Sequence, residues 1–310
     1  MIAFIFPGQG SQKVGMGFAL AGAFPICRQA FDEADIALGE PLSRLCFEGP
    51  DDQLMLTENT QPAIVAASIA AYRVLHDKGV RPSFVAGHSL GEYTANVAAG
   101  TMTFADALRI VRRRGRFMQE AVPLGTGAMA AILGLDAARV AEACAEAAEG
   151  EVVSPANLNG AGQVVIAGAR EAVARAGERA KALGARRVIP LSVSAPFHCA
   201  LMKPAEERLA PELRALPVRD PEPPIVANVD AELKTRGGDA MEALVAQVSS
   251  PVRWEDVVRR LASEGVTTYV EVGPGNVLSG LVKKIHREAT VANFSSPDDL
   301  GAIETILARA

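Results

Sequence analysis

The residues best able to do chemistry in this sequence surround a serine between two glycines. Residues 87–91, Gly-His-Ser-Leu-Gly, follow a short apolar segment over 83–86 and precede a predicted helix over 92–99. Glycines on both sides allow a sharp turn from a buried strand into a helix, which lifts the serine hydroxyl above the sheet edge. The start of a helix also stabilises developing negative charge. This context favours Ser89 as a nucleophile over a structural serine.

A serine nucleophile needs a general base, and the chain has four histidines: His76, His88, His198 and His286. His76 and His286 lie among charged neighbours, so both are expected on the surface. Adjacent side chains diverge at a sharp turn, which places His88 out of reach of Ser89. His198 lies in an irregular segment over 194–199, where a loop can cover the sheet edge. It is the predicted base, and a core histidine bonded to backbone is the alternative.

The sequence offers no obvious acidic partner for this histidine. No aspartate or glutamate between Ser89 and His198 lies clearly at a strand end, where a hydrolase triad would place it. A serine–histidine pair oriented by a backbone carbonyl is the simpler arrangement.

A glycine-rich loop, residues 8–10, follows the first predicted strand over 2–6. The next glycine, Gly15, comes too late for a dinucleotide-binding motif, and no acidic residue ends a second strand about 20 residues on. A backbone N–H around Gln9 instead suits an oxyanion donor, paired with the N–H of Leu90.

Several arginines lie close together on a helix predicted over 104–121. At about 100° per residue they cannot share one face: Arg112 and Arg116 align, and Arg114 points about 200° away from Arg112. A buried arginine near a serine nucleophile would suit a bidentate grip on a substrate carboxylate. Solvated arginines on an exposed helix are an equally open alternative.

These residues need a scaffold that brings them together. Short apolar segments over 2–6, 83–86, 225–228 and 268–272 are typical of parallel strands buried on both faces. Between the second and third the order becomes strand, helix, strand, strand, helix, strand, over 128–133, 136–148, 152–157, 163–167, 170–182 and 186–193. This βαββαβ order is that of a ferredoxin-like unit. The sequence predicts an α/β protein whose parallel sheet resumes after an inserted unit.

Composition excludes several classes of protein. The 310 residues carry 31 basic and 36 acidic side chains, a net charge of −5, so no overall positive field is available for nucleic acid. The longest apolar run, over 62–72, is shorter than the roughly 18 residues of a membrane span. The four cysteines lack Cys-x-x-Cys spacing, which favours reduced thiols over zinc or disulfides. We expect a cytoplasmic protein that binds neither nucleic acid nor membranes.

Six motifs occur in an order that resembles a known family. They are Phe6-Pro7-Gly8-Gln9-Gly10-Ser11-Gln12, Gln61-Pro62, Gly87-His88-Ser89-Leu90-Gly91-Glu92, Arg114-Gly115-x-x-Met118-Gln119, Pro196-x-His198-Cys199-Ala200-Leu201-Met202 and Glu271-Val272-Gly273-Pro274-Gly275. The chain resembles, nearly end to end, the acyltransferases of fatty acid and polyketide synthesis, whose stand-alone members are malonyl-CoA:acyl carrier protein transacylases. The resemblance implies a hydrolase-like parallel-sheet large domain, residues 1–125 and 196–310, with an inserted ferredoxin-like small domain over 126–195.

The resemblance also implies roles for individual residues. Ser89 would take the malonyl group, with His198 as its base. The N–H groups of Gln9 and Leu90 would form the oxyanion hole, and Arg114 would hold the malonyl carboxylate. The backbone carbonyl of Gln247 matches the group that orients the histidine. Phe197 stands where stand-alone members commonly have a smaller residue, and its bulk would disfavour an α-methyl branch.

The same resemblance implies the partners. The substrates are malonyl-CoA and acyl carrier protein, with no metal or cofactor, and we expect a monomer. The carrier protein of this family is acidic, and four arginines are candidates to guide its docking, with a plain solvated surface as the alternative for each: Arg112, Arg116, Arg186 and Arg187. Three other functions stay open: a serine esterase or thioesterase on the same kind of sheet, a polyketide-pathway acyltransferase, and a non-catalytic module that binds the carrier protein.

Overall fold

The structure, a computed structural model, describes residues 1–123, 125–191, 193 and 195–307. Its strands are β1 (Ile2–Phe6), β2 (Phe84–Gly87), β3 (Gly127–Leu133), β4 (Val153–Gly160), β5 (Gln163–Ala169), β6 (Arg187–Pro190), β7 (Ile225–Val226), β8 (Leu233–Lys234), β9 (Thr268–Val272) and β10 (Thr290–Phe294). Its α-helices are α1 (Phe18–Ala23), α2 (Pro25–Leu38), α3 (Leu42–Glu48), α4 (Asp51–Leu54), α5 (Thr57–Asp77), α6 (Gly91–Ala98), α7 (Phe104–Glu120), α8 (Ala137–Ala147), α9 (Arg170–Ala182), α10 (Lys203–Arg214), α11 (Gly237–Gln247), α12 (Trp254–Ser263), α13 (Val277–Ile285) and α14 (Leu300–Leu307). Short 3-10 turns cover Ala200–Met202 and Pro297–Asp299.

The larger sheet carries the serine motif at the carboxyl end of an interior strand, β2. Its strand order is β10-β9-β1-β2-β7-β8, and every pairing is parallel except that of β7 with β8. The apolar runs of β1 and β9 are buried between helices, as continuous hydrophobic strands require. Phe6 pairs with Gly87, so the loops after β1 and β2 leave the sheet side by side. The segment predicted as a strand over 225–228 is shorter than expected, because Asn228 leaves the sheet to bond Glu92 and Gly87.

The smaller sheet is antiparallel and has the order β4-β5-β3-β6. Helices α8 and α9 pack buried alanines and valines against this sheet, and together they form a separate hydrophobic core. This is the predicted βαββαβ arrangement, and the predicted α/β fold class is confirmed. The last strand is shorter than the predicted 186–193: β6 covers Arg187–Pro190, and residue 192 lies outside the described residues.

Backbone hydrogen bonds connect β4 to a segment outside the small sheet. In β4, the Leu158 N–H donates to the Val252 carbonyl at 2.8 Å, and the Val252 N–H donates to the Ala156 carbonyl at 2.9 Å. The small sheet is therefore tied to the segment that follows α11. The proposed boundaries at 125–126 and 195–196 stay a prediction.

Candidate active site

Ser89 lies on a strained turn that only glycine neighbours permit. Its φ of 52° lies in the left-handed region, which is costly for a residue with a Cβ. A Cβ added to Gly87 would lie 2.0 Å from the backbone of Gly91, and a Cβ on Gly91 would lie 2.0 Å from the Phe6 carbonyl oxygen. The two glycines thus let β2, α6 and the end of β1 pack closely enough to present the serine hydroxyl above the sheet.

His198 lies against this hydroxyl, although 109 residues separate it from Ser89. The Ser89 Oγ and His198 Nε2 are 2.6 Å apart, and the His198 Nδ1 is 3.0 Å from the backbone carbonyl oxygen of Gln247. A carbonyl only accepts, so the hydrogen is on Nδ1, and Nε2 is left to accept the serine proton. The three groups form a chain of hydrogen bonds from a backbone carbonyl to the candidate nucleophile.

The environment keeps this imidazole neutral. His198 is only 3% exposed, and burial, with the nearby Arg114 cation, lowers its pKa to about 3, against the opposing effect of the Gln247 carbonyl. A neutral imidazole can accept a proton, whereas a protonated one cannot. The site therefore holds a base that is ready to act at neutral pH.

Arg114 is buried and directed into the same site. Its side chain is 2% exposed and donates from Nη1 to Gln61 Oε1 at 3.0 Å. Its Nη2 donates to Gln247 Oε1 at 3.0 Å and to Ser89 Oγ at 3.2 Å. The guanidinium also lies over the Tyr93 ring, 5.2 Å from its centroid. Of the two alternatives for this arginine, the structure favours the buried one, and it places a cation beside the hydroxyl that would carry an acyl group.

The other predicted residues meet in one cavity of about 130 Å³ beside Ser89. Gln9, Leu90 and Phe197 line it. Leu90 immediately precedes α6, where the first N–H groups of a helix lack acceptors within the helix. This position suits a donor to an oxyanion. Residues of the small sheet, Met129 and Asn157, line the same cavity, so both parts of the fold contribute to its wall.

Three buried polar residues complete the site without a role in the sequence-based prediction: Gln61, Glu92 and Asn228. Asn228 accepts the Ser89 N–H through Oδ1 at 2.7 Å and donates to the Gly87 carbonyl at 2.7 Å. Glu92 accepts from the Asn228 N–H at 3.0 Å and from Gln247 Nε2 at 2.7 Å. Burial raises the pKa of Glu92 to about 7, which these hydrogen bonds oppose. The signal that the sequence offers for Asn228 is its place at the end of the strand predicted over 225–228.

The side chains of the other three histidines contact residues other than Ser89. His88 bonds Asn159 through Nε2 at 2.9 Å and packs on Trp254. His76 is exposed, as predicted. The prediction of a surface position for His286 was wrong. The residue is half-buried and packs edge-on against Tyr269, whose hydroxyl oxygen lies 3.2 Å from His286 Nδ1.

Of the four arginines considered for docking, Arg112 is not available. Its side chain is only 14% exposed and is engaged by Glu40 and Asn59. Arg116 pairs with Glu58 and stays more than half exposed. Arg186 and Arg187 are exposed on the small sheet.

The described residues show neither a metal cluster nor a membrane-spanning helix, and their cysteines are unpaired. Within the described residues, no group of three or more His, Cys, Asp or Glu side chains is placed to hold a metal ion. Over the same residues, no helix has both the length and the apolar character needed to cross a bilayer. All four cysteines are buried free thiols.

A serine on a strand-to-helix turn, a neutral histidine at its hydroxyl and helix-start amides beside it can form and transfer an ester. This arrangement, on a largely parallel sheet flanked by helices, defines the class of the protein: it is an α/β enzyme that carries an acyl group on serine. Comparison with known proteins gives the family. Residues 3–302 match the acyl transferase domain, and the chain belongs to that family.

Individual relatives cover almost the whole chain. It is 53% identical over 301 residues to the malonyl CoA-acyl carrier protein transacylase of Escherichia coli strain K12, covering 97% of each protein. The corresponding protein of Bacillus subtilis strain 168 is 50% identical over 307 residues, 98% of this chain and 97% of the relative.

Solved structures give the same result. The acyl carrier protein S-malonyltransferase of Vibrio cholerae superimposes with a TM-score of 0.96 at 48% identity, covering 97% of this chain and 99% of the other. A malonyl-transacylase solved in complex with its type II PKS acyl carrier protein also has a TM-score of 0.96 at 48% identity, covering 98% and 99%.

Proposed function

We propose that the protein transfers malonyl groups from malonyl-CoA to the pantetheine thiol of acyl carrier protein, through a malonyl ester on Ser89. The observation that carries the choice of acyl group is the buried Arg114, whose Nη2 lies 3.2 Å from the Ser89 Oγ. A malonyl group on that oxygen carries its free carboxylate two carbons beyond the ester carbonyl. The names of the most similar relatives support the same substrate pair.

The first half-reaction loads the enzyme. His198 Nε2 takes the Ser89 proton as Oγ attacks the thioester carbonyl of malonyl-CoA. The N–H groups of Gln9 and Leu90 hold the negative oxygen that forms on the carbonyl. The carbon–sulfur bond then breaks, and the sulfur of coenzyme A leaves with the proton from His198. The products are malonyl-Ser89 and free coenzyme A.

The second half-reaction repeats these steps with a different thiol. The pantetheine thiol of the carrier protein gives its proton to His198, and its sulfur attacks the ester carbonyl. The bond to Ser89 Oγ breaks, and Oγ recovers the proton. Because one product leaves before the second substrate enters, the kinetics are ping-pong.

Arg114 selects the acyl group because only a substrate with a free carboxylate can pair with its guanidinium. A malonyl carboxylate pairs with the buried guanidinium, whereas an acetyl group has no partner for it. Buried charges need hydrogen-bonded partners, and a site built to bind a polar group discriminates strongly against an analogue that lacks it. The bulk of Phe197 on the cavity wall supports exclusion of an α-methyl branch.

The carrier protein is the only macromolecular partner required, since the residues described supply the nucleophile, the base and the oxyanion donors. The four free thiols support a cytoplasmic location. We propose a monomer that supplies fatty acid synthesis, and a polyketide carrier protein is the alternative acceptor.

The test is the intact mass of the protein after mixing with malonyl-CoA, acetyl-CoA or methylmalonyl-CoA. We expect a single malonyl adduct that persists until a carrier-protein thiol is added, and no adduct on Ser89→Ala. Steady release of free malonate without a thiol would identify an esterase or thioesterase instead. No adduct with any acyl-CoA would leave only a binding module.

A further inference from the structure

Glu92 is a buried carboxylate one helical turn beyond the candidate nucleophile, and the proposed chemistry gives it no task. It is 1% exposed. Its carboxylate accepts two hydrogen bonds on one oxygen, Oε2, from the Asn228 N–H at 3.0 Å and from Gln247 Nε2 at 2.7 Å. A buried carboxylate is costly unless it is well bonded. The role of Glu92 is therefore to be found in the groups that its carboxylate bonds.

The principal group is the side-chain amide of Gln247, whose two ends are chemically different. Its Nε2 donates to Glu92 Oε2 at 2.7 Å and to the Ser89 carbonyl at 3.0 Å. Its Oε1 therefore faces the other way and accepts from Arg114 Nη2 at 3.0 Å. If the amide were reversed, its NH2 group would meet the guanidinium, and two donors would face each other. Glu92 thus fixes the orientation of the Gln247 amide, so that its oxygen, and not its NH2 group, faces Arg114.

The amide also keeps the carboxylate away from the arginine. The acceptors of Arg114 are the amide oxygens of Gln61 and Gln247 and the serine hydroxyl, all of them neutral. A carboxylate in direct contact would form an ion pair with the guanidinium and compete with a substrate carboxylate for it. With Gln247 between them, Arg114 is held in place while its charge stays available to a ligand.

We propose that Glu92 is a positioning residue for substrate selection: it fixes the Gln247 amide, which in turn aims Arg114 at the carboxylate of the acyl group. The inference rests on the proposed malonyl transfer. Gln247 then has two separate roles, because the hydrogen bond of its backbone carbonyl with His198 does not depend on the orientation of its side chain.

The experiment compares Glu92→Ala, Gln247→Met and the double variant. Gln247→Met removes the amide and keeps the backbone carbonyl. The measurement is the single-turnover rate of acyl-enzyme formation with malonyl-CoA and with acetyl-CoA, followed by intact mass. Because hydrogen bonds to charged groups are strong, we expect the malonyl-to-acetyl rate ratio to fall about tenfold or more in each single variant. We expect no further fall in the double variant, since one change already removes the relay.

Two more variants separate positioning from stability. In Glu92→Gln the Asn228 N–H requires an acceptor, so the introduced amide oxygen takes the place of Oε2 and also accepts from Gln247. This variant should keep the ratio within about threefold of wild type. Glu271→Ala is the matched control: Glu271 is equally buried, and it bonds Leu278, Ser279 and Asn293. It should lower the unfolding temperature and leave the ratio unchanged.

Each remaining outcome overturns the proposal. An unchanged ratio in Glu92→Ala, or in Glu92→Met if the alanine variant does not fold, would make Glu92 merely structural. Effects that multiply in the double variant would show that Glu92 acts independently of Gln247. These failures differ from failure of the proposed function, in which the wild-type protein itself forms no malonyl adduct.

Discussion

Replacing Arg114 with alanine is the most direct test of how the acyl group is chosen. The side chain is 2% exposed and donates three hydrogen bonds, one of them to the oxygen that would carry the acyl group. Without it, a malonyl carboxylate enters a buried site that has lost its cation. Leaving one member of a buried charge pair without its partner costs about 3–5 kcal/mol. At about 1.4 kcal/mol per tenfold, kcat/KM for malonyl-CoA should fall roughly 100- to 5,000-fold.

The acetyl group provides the internal reference. It has no carboxylate, so kcat/KM for acetyl-CoA should change less than about tenfold in Arg114→Ala. The assay is release of coenzyme A with each substrate, at saturating carrier protein. The matched control is Arg113→Ala, which removes the neighbouring arginine, a residue with a 55% exposed side chain paired with Glu212. A parallel loss of both activities in Arg114→Ala would refute the assignment, as would an equal loss of selectivity in Arg113→Ala.

Gly91→Ala should destabilise the protein by several kcal/mol and abolish acylation, because the new Cβ would lie 2.0 Å from the Phe6 carbonyl oxygen; chemical denaturation and intact mass check this, and a folded, active variant would contradict it. Phe197→Ala should raise the methylmalonyl-to-malonyl rate ratio by roughly tenfold, since it opens the wall of the acyl cavity; an unchanged ratio would show that the branch is excluded elsewhere. His198 has its pKa lowered from 6.5 to about 3 in the folded protein, so its contribution to stability is present above pH 6.5 and is lost as the pH falls towards 3. Between pH 6.5 and 4.5 the free energy of unfolding, measured with urea, should therefore fall less steeply for His198→Gln than for wild type, by at most about 1.4 kcal/mol per pH unit. Identical pH slopes for the two proteins would disprove the neutral histidine.

The parts of the site that the sequence predicts are those whose signals lie in short stretches of the chain. Two glycines around Ser89 between an apolar run and a helix describe a strand-to-helix turn, and a small number of histidines allows elimination. The order of strands and helices likewise predicts the smaller sheet, because each element has its own periodicity. Ser89 and His198 therefore meet as expected, even though 109 residues separate them.

The network behind them could not be predicted in this way. Glu92 lies 136 residues from Asn228 and 155 from Gln247, and nothing in the local pattern of any of the three indicates the other two. Asn228 also ends its strand early, because bonds to Glu92 and Gly87 replace the sheet pairing that apolar periodicity would continue. The error with His286 has a similar cause: its neighbours in sequence are charged, but its partner, Tyr269, comes from β9.

The backbone hydrogen bonds between β4 and Val252 matter for protein engineering. Val252 follows Gln247 by five residues, so the segment that supports the small sheet is the one that carries the group orienting the base. A chimaera that exchanges only residues 126–195 between acyltransferases would set a foreign β4 against the resident Val252 segment. Transplanting residues 247–253 together with the insert would keep this contact native, and recombination boundaries should be chosen to include them.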